Sequence, residues 1–101
     1  MAPIWTHGVW TVIQGREDEF VEAWRTMARD AVDELHPREK PYLLRDRERP
    51  NVFRSFGYWE DAQQVEAFRG LIRPHLERIR ELTERIEIFA LDEIYPAASD
   101  G

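Results

Sequence analysis

Apolar and polar positions follow two different periods along the chain, and the switches between them mark the elements. Residues 4–13, from Ile4 to Ile13, are rich in β-branched and aromatic types with apolar groups on both faces, the pattern of a central strand covered on each side. Gln14-Gly15 interrupts it. From Glu17 the period becomes helical, with Phe20, Trp24, Met27, Ala28, Ala31 and Leu35 on one stripe. Glu17, Asp18 and Glu19 fill the first turn, where the helix dipole favours negative charge, and His36-Pro37 ends the helix.

Tyr42 to Arg45 and Val52 to Trp59 read as a hairpin around a turn at Glu48-Arg49-Pro50-Asn51. Asp61 with Gln64 three residues later is a capping-box pattern, so a second helix starts there, with Val65, Phe68, Leu71 and Ile72 on its buried face. Gly70 and Pro74 are expected to interrupt it. Pro74 then starts a further helical segment with Leu76, Ile79, Leu82 and Ile86 inward and Arg80/Glu84 and Glu81/Arg85 paired outside. Ile88 to Tyr95 reads as a fourth strand. The order β-α-β-β-α-β predicts an α+β, ferredoxin-like fold: a four-stranded antiparallel sheet, the first and third strands central, both helices on one face. The other face then carries large bare side chains, which points to a homodimer. Residues 1–96 are expected to form one domain and 97–101 a frayed tail.

Composition removes whole classes of function. The 101 residues include no cysteine, which excludes disulfides, thiolate metal sites and a thiol nucleophile. A net charge of −6 and the absence of a basic face argue against nucleic acid, because Arg45, Arg47, Arg49 and Arg54 are interleaved with Asp46 and Glu48. Apolar runs reach only Ile88–Leu91, too short to span a membrane, and Met1 to Trp5 lacks the features of a signal peptide, so a cytoplasmic protein is expected. Glycine-rich phosphate loops, GxSxG and HExxH are absent, and three scattered histidines predict no metal site.

Four segments together resemble the antibiotic biosynthesis monooxygenase family over nearly the whole chain: Gly15-Arg16-Glu17-Asp18-Glu19-Phe20, Leu43-Leu44-Arg45-Asp46-Arg47, Ser55-Phe56-Gly57-Tyr58-Trp59-Glu60-Asp61 and Glu66-Ala67-Phe68-Arg69. The resemblance implies a dimeric α/β barrel with a pocket between sheet and helices in each subunit. It also implies oxidation of electron-rich quinol- or anthrone-type aromatics by O₂ with no metal, flavin or other cofactor. Haem-degrading relatives place an Asn on the first strand where Gly8 stands here, so haem degradation is disfavoured.

Strand parity locates the implied pocket. If Trp59 faces the helices, so do Gly57, Ser55 and Phe53, and the family's apolar pattern puts Gly8, Trp10 and Val12 on the same face. Two glycines on adjacent strands leave room that Trp10, Trp24, Trp59 and Phe68 either wall as a ligand cleft or fill as packed core. Ser55 occupies a position where some relatives carry an Asn able to bond a substrate oxygen. His75 matches the helix His of some relatives and is the candidate proton acceptor, flanked by Arg73 and Arg78 as candidate phenolate contacts; the alternative is a surface histidine among solvated arginines. His7 falls on the dimer-facing side and His36 at a helix end. Two functions stand: a cofactor-independent monooxygenase using His75 or a Ser55-held water, or a non-catalytic dimeric domain that binds a small apolar ligand or serves only as an assembly unit.

Overall fold

The computed structural model describes residues 3–96, so the tail expected at 97–101 lies outside the described residues. Six elements follow in order: β1 (Ile4–Val12), α1 (Glu17–Leu35), β2 (Tyr42–Arg45), β3 (Val52–Trp59), α2 (Ala62–Leu82) and β4 (Thr83–Asp92). The sheet order is β2-β3-β1-β4, every pair antiparallel, with β1 and β3 at the centre. This is the expected α+β ferredoxin-like arrangement.

Local chemistry accounts for the helix ends. Gly15, at φ 94°, turns the chain out of β1, and its N–H donates to Glu17 Oε1 at 2.8 Å. Arg16 then pairs with Glu19 at 2.6 Å, inside the acidic first turn of α1. The helix closes at His36, which takes a left-handed conformation and donates its N–H to the Val32 carbonyl. Asp61 accepts the Gln64 N–H at 2.8 Å, while the Gln64 side-chain oxygen accepts the Glu60 N–H at 2.9 Å, one residue before the usual box partner. The same Gln64 amide donates to the Leu35 carbonyl and ties the start of α2 to the end of α1.

Two expectations are corrected. Gly70 and Pro74 do not break α2, which runs unbroken from Ala62 to Leu82. Proline at 74 removes one bond to the carbonyl of residue 70, but the burial of Val65, Ile72, Ile79 and Leu82 on either side holds one axis through the defect. The fourth strand begins at Thr83, not Ile88, and ends at Asp92, not Tyr95. There is no loop: Thr83 caps the helix in extended conformation, and its hydroxyl donates back to the Ile79 carbonyl at 3.0 Å. Residues 84–86 are therefore strand, the Arg80/Glu84 and Glu81/Arg85 helical pairs do not form, and Arg85 pairs along the strand with Glu87.

The core lies between helices and sheet around Trp10, Val12, Phe20, Trp24, Met27, Phe53, Ile72, Ile79 and Leu82. The outer sheet face is aromatic. His7 packs 4.6 Å from the Phe56 ring and 6.0 Å from Phe89, and Trp5 meets Tyr58 edge-on at 5.3 Å. Tyr42, Leu44, Phe89 and Leu91 on this face are exposed.

Candidate functional site

Parity in β1 and β3 places Thr6, Gly8 and Trp10 beside Ser55, Gly57 and Trp59 on the helix side of the sheet, as the alternation of buried positions confirms. The register sets Gly8 opposite Ser55 and Thr6 opposite Gly57. Each tryptophan folds back over the glycine two residues before it and crosses to the neighbouring strand: Trp10 Nε1 donates to Ser55 Oγ at 2.9 Å, and Trp59 Nε1 to Thr6 Oγ1 at 2.9 Å. The glycines are needed for this close approach. A Cβ on Gly8 would stand 2.6 Å from both Ser55 Oγ and Trp10 Nε1, and one on Gly57 would stand 2.9 Å from Thr6 Oγ1.

Above these residues, and beneath α1 and α2, lies an apolar cavity of about 40 Å³. Gly8, Trp10, Trp24, Ser55, Gly57, Trp59 and Phe68, all singled out in the sequence, border it together. Its size answers part of the packing question. An apolar cavity of about 150 Å³ takes benzene, so this cavity has room for a few waters and not for an aromatic ring. The indoles fill most of the space that the glycines open. Phe68 lies on Trp59 with ring centroids 4.5 Å apart.

Beside the cavity, between α2 and the β4 edge, runs a groove of about 320 Å³. Thr6, Phe68, Ile72 and Ile88 border both, so these four form the partition between them. Arg69, Arg73 and Arg80 line the groove from α2, one turn and then two turns apart. Arg73 thus lines the neighbouring groove and not the cavity.

His75 does not border the cavity. The resemblance matches it to a helix His of some relatives; on the unbroken α2, residue 75 faces α1. There its Nε2 lies 2.8 Å from Asp30 Oδ2, in a solvent-facing groove shared with Glu19, Glu22 and Arg78. Among the described residues, no titratable side chain borders the cavity itself. Arg16 is held above its ordinary pKa and Glu19 below its own, chiefly by their mutual hydrogen bond, but both sit at the start of α1. Among the described residues no group of His and carboxylate side chains is placed to hold a metal ion. No helix among them is long and apolar enough to cross a membrane.

Sequence reasoning missed Thr6, the acceptor for Trp59. The signal was present: Thr6-x-Gly8-x-Trp10 and Ser55-x-Gly57-x-Trp59 are one pattern written twice, hydroxyl, glycine and tryptophan at alternate positions. On antiparallel strands the two copies are related by a local two-fold, which is why each indole finds the other copy's hydroxyl.

The family model described as antibiotic biosynthesis monooxygenase matches residues 3–82. Among solved structures, the fold is similar to a protein of Nitrosomonas europaea assigned to the antibiotic biosynthesis monooxygenases (TM-score 0.82, 15% identity, covering 95% of this chain and 94% of that one). It is also similar to protein SO0527 from Shewanella oneidensis (TM-score 0.81, 14% identity, 91% of each chain). A mutant of SnoaB, a cofactor-independent oxygenase from Streptomyces nogalater, superimposes with a TM-score of 0.79 at 20% identity, covering 95% of this chain and 99% of that one. No curated protein sequence matches this chain.

Proposed function

Since the chain belongs to the antibiotic biosynthesis monooxygenase family, we propose that it binds a small electron-rich aromatic of the quinol or anthrone type between sheet and α2 and promotes its oxidation by O₂. One observation carries the reading: the cavity over Gly8 and Gly57 is walled by aromatic side chains, holds two hydroxyls, excludes charge, and is divided from a wider groove only by Thr6, Phe68, Ile72 and Ile88. Of these, Phe68 is half-buried on a helix flank. Its displacement joins cavity and groove into a space within the roughly 300–1,000 Å³ that small-molecule sites occupy.

The chain's own part in such a reaction is binding, orientation and exclusion of water. The Ser55 and Thr6 hydroxyls face the ligand, the indoles of Trp10 and Trp59 lie along it, and Arg73 at the groove stabilises an oxyanion at its outer end. With an anthrone the balance closes without an external reductant. The ring methylene loses two hydrogens and becomes a carbonyl with one oxygen atom of O₂, and the other atom leaves with those hydrogens as water.

The lack of any base on the cavity wall favours a second reading, in which the domain binds the aromatic and does no chemistry. Oxygen uptake with anthrone, corrected for the spontaneous rate, separates the two. The oxygenase reading expects one O₂ consumed per anthrone and anthraquinone formed, with the gain lost in Trp59→Ala. Binding of anthrone with no gain over the spontaneous rate leaves the binding domain. His75→Ala is expected to leave the rate unchanged, because His75 faces α1 and solvent. The dimer of the family resemblance belongs to the same proposal, through the aromatic outer face of the sheet.

A further inference from the structure

The groove between α2 and the β4 edge has an apolar floor and a cationic rim. β4 is an edge strand, so Ile88, although it lies opposite Gly8 and borders the cavity under the helices, is 42% exposed in the groove. Phe68, Ile72 and Leu76, each one turn after the last on α2, complete the floor. Charge on the rim is uneven. Arg78 faces α1, where Glu19 takes it at 3.2 Å, and Arg69 at the Phe68 end of the groove lies 3.7 Å from Glu66. Among the described residues no carboxylate stands within ion-pair distance of Arg73 or Arg80, neither Glu77 nor Glu84 on the adjoining turns nor Glu87, which pairs with Arg85. On a chain of net charge −6, two guanidiniums without a carboxylate, set on either side of Leu76 above exposed apolar side chains, are a local exception.

We infer that this groove binds an aliphatic carboxylate of medium chain length, its carboxylate between Arg73 and Arg80 and its chain on Leu76, Ile72, Ile88 and Phe68. The planar guanidinium presents paired donors that match a carboxylate, and two long side chains about 10 Å apart along the helix reach one head group between them. The charge excess at the Leu76 end, against the partnered Arg69 at the other, sets the direction: head toward Leu76, tail toward Phe68. From Phe68 to Leu76 the floor runs about 12 Å along α2, a narrow track for a chain. This goes beyond the aromatic reading of the cavity, because it requires no displacement of Phe68 and no chemistry.

The test titrates the native chain with decanoate and with 1-decanol, the same chain without the charge. Decanoate is expected to bind about tenfold more tightly, the value of a hydrogen bond to a charged group. The double variant Arg73→Gln with Arg80→Gln changes only exposed side chains and is expected to bind both compounds with the affinity of decanol. In the native chain the methyl resonances of Leu76 and Ile88 should move with decanoate, while the indole resonances of Trp10 and Trp59 on the cavity floor stay. Equal affinity for decanoate and decanol, or a preference kept by the double variant, overturns the inference. So does movement confined to the indoles, which would put the chain in the cavity, or to Leu44 and Leu91, which would put it on the outer sheet face. If decanoate does not bind at all, the groove is not a carboxylate site, and the cavity reading, tested with anthrone, is untouched by that result.

Discussion

Trp10 and Trp59 stand on neighbouring antiparallel strands, and each gives its indole N–H to a hydroxyl on the other's strand, Trp10 to Ser55 and Trp59 to Thr6. Both indoles are 2% exposed, so both bonds are made away from water, where a lost partner leaves a costly orphan. The pair fixes the floor of the cavity as one unit: moving either tryptophan unseats a hydroxyl on the opposite strand. A pocket built this way keeps its floor rigid and leaves motion to the helix side, where Phe68 and α2 form the partition to the groove.

Gly8→Ala is expected to be the most damaging small substitution in the sheet. Its methyl enters the space held by the Trp10–Ser55 bond at 2.6 Å from both atoms, so the indole must leave and a buried donor and acceptor part. Overpacking and the broken bond together should cost roughly 2–4 kcal/mol. Gly57→Ala should cost less, because its nearest atoms lie at 2.9 Å and 3.1 Å. Urea denaturation of the two variants checks the order; equal stability for Gly8→Ala and the native chain would show that the indole yields freely.

Much of this was legible from residue types. The first strand, the first helix, the hairpin and the Asp61 cap follow from period and end signals; strand parity put Ser55, Gly57 and Trp59 on one face, and the family's apolar pattern added Gly8 and Trp10 to it. The cavity's volume was not legible, because it depends on which way the indoles fold, and only the glycine contacts show that they lie back over the backbone. The α2–β4 junction was hidden for another reason. Ile79, Leu82 and Ile86 fit a helical stripe, and Ile86 and Ile88 fit an alternating strand, so the sequence pattern overlaps across Thr83. The break expected at Pro74 failed because tertiary burial of Ile72 and Ile79 outweighs one missing bond, while His75, singled out through the family resemblance, has the place on the helix surface that its alternative reading gave it.

Pro74→Ala follows from that same point. Position 74 is exposed in the middle of α2, and a residue with an N–H there restores the bond to the Gly70 carbonyl. Stability should rise by about 1–3 kcal/mol, seen as a higher urea midpoint with an unchanged slope. Gly70→Ala, whose added methyl meets open space, should add about 0.5–1 kcal/mol more. A lower midpoint for Pro74→Ala would show that the missing bond costs the helix nothing.

Asp46 governs part of the acid response. Its carboxylate accepts the backbone N–H groups of Arg49 at 3.0 Å and Glu48 at 2.8 Å, and these, with the charges of Arg49 and Arg54, hold its pKa below the ordinary value. The folded pKa is the lower one, so the stabilisation is complete above the unfolded value of about 3.9 and is lost as pH falls through the folded value. Asp46→Asn keeps an acceptor oxygen but no charge. The gap in melting temperature between native chain and variant should be largest near neutrality and close as pH falls through the lowered folded pKa of Asp46. A gap that stays constant with pH would place the effect in the turn's hydrogen bonds alone.

The outer face of the sheet supplies the last prediction. Phe89 and Leu91 from β4 and Tyr42 and Leu44 from β2 are exposed around the half-buried pair His7 and Phe56, and His7 Nδ1 is buried there with no partner among the described residues. A continuous aromatic surface of this kind on a small sheet is unfavourable in water and is covered most simply by a second copy of itself across a two-fold. Sedimentation at micromolar concentration should therefore give a dimer. Phe89→Glu sets a charge beside His7 in the centre of that face, facing its own copy, and should give a monomer with its helix signal intact in circular dichroism. A native chain that sediments as a monomer across this range would show that the face is not a homodimer interface, and the barrel expected from the family would not apply to this chain.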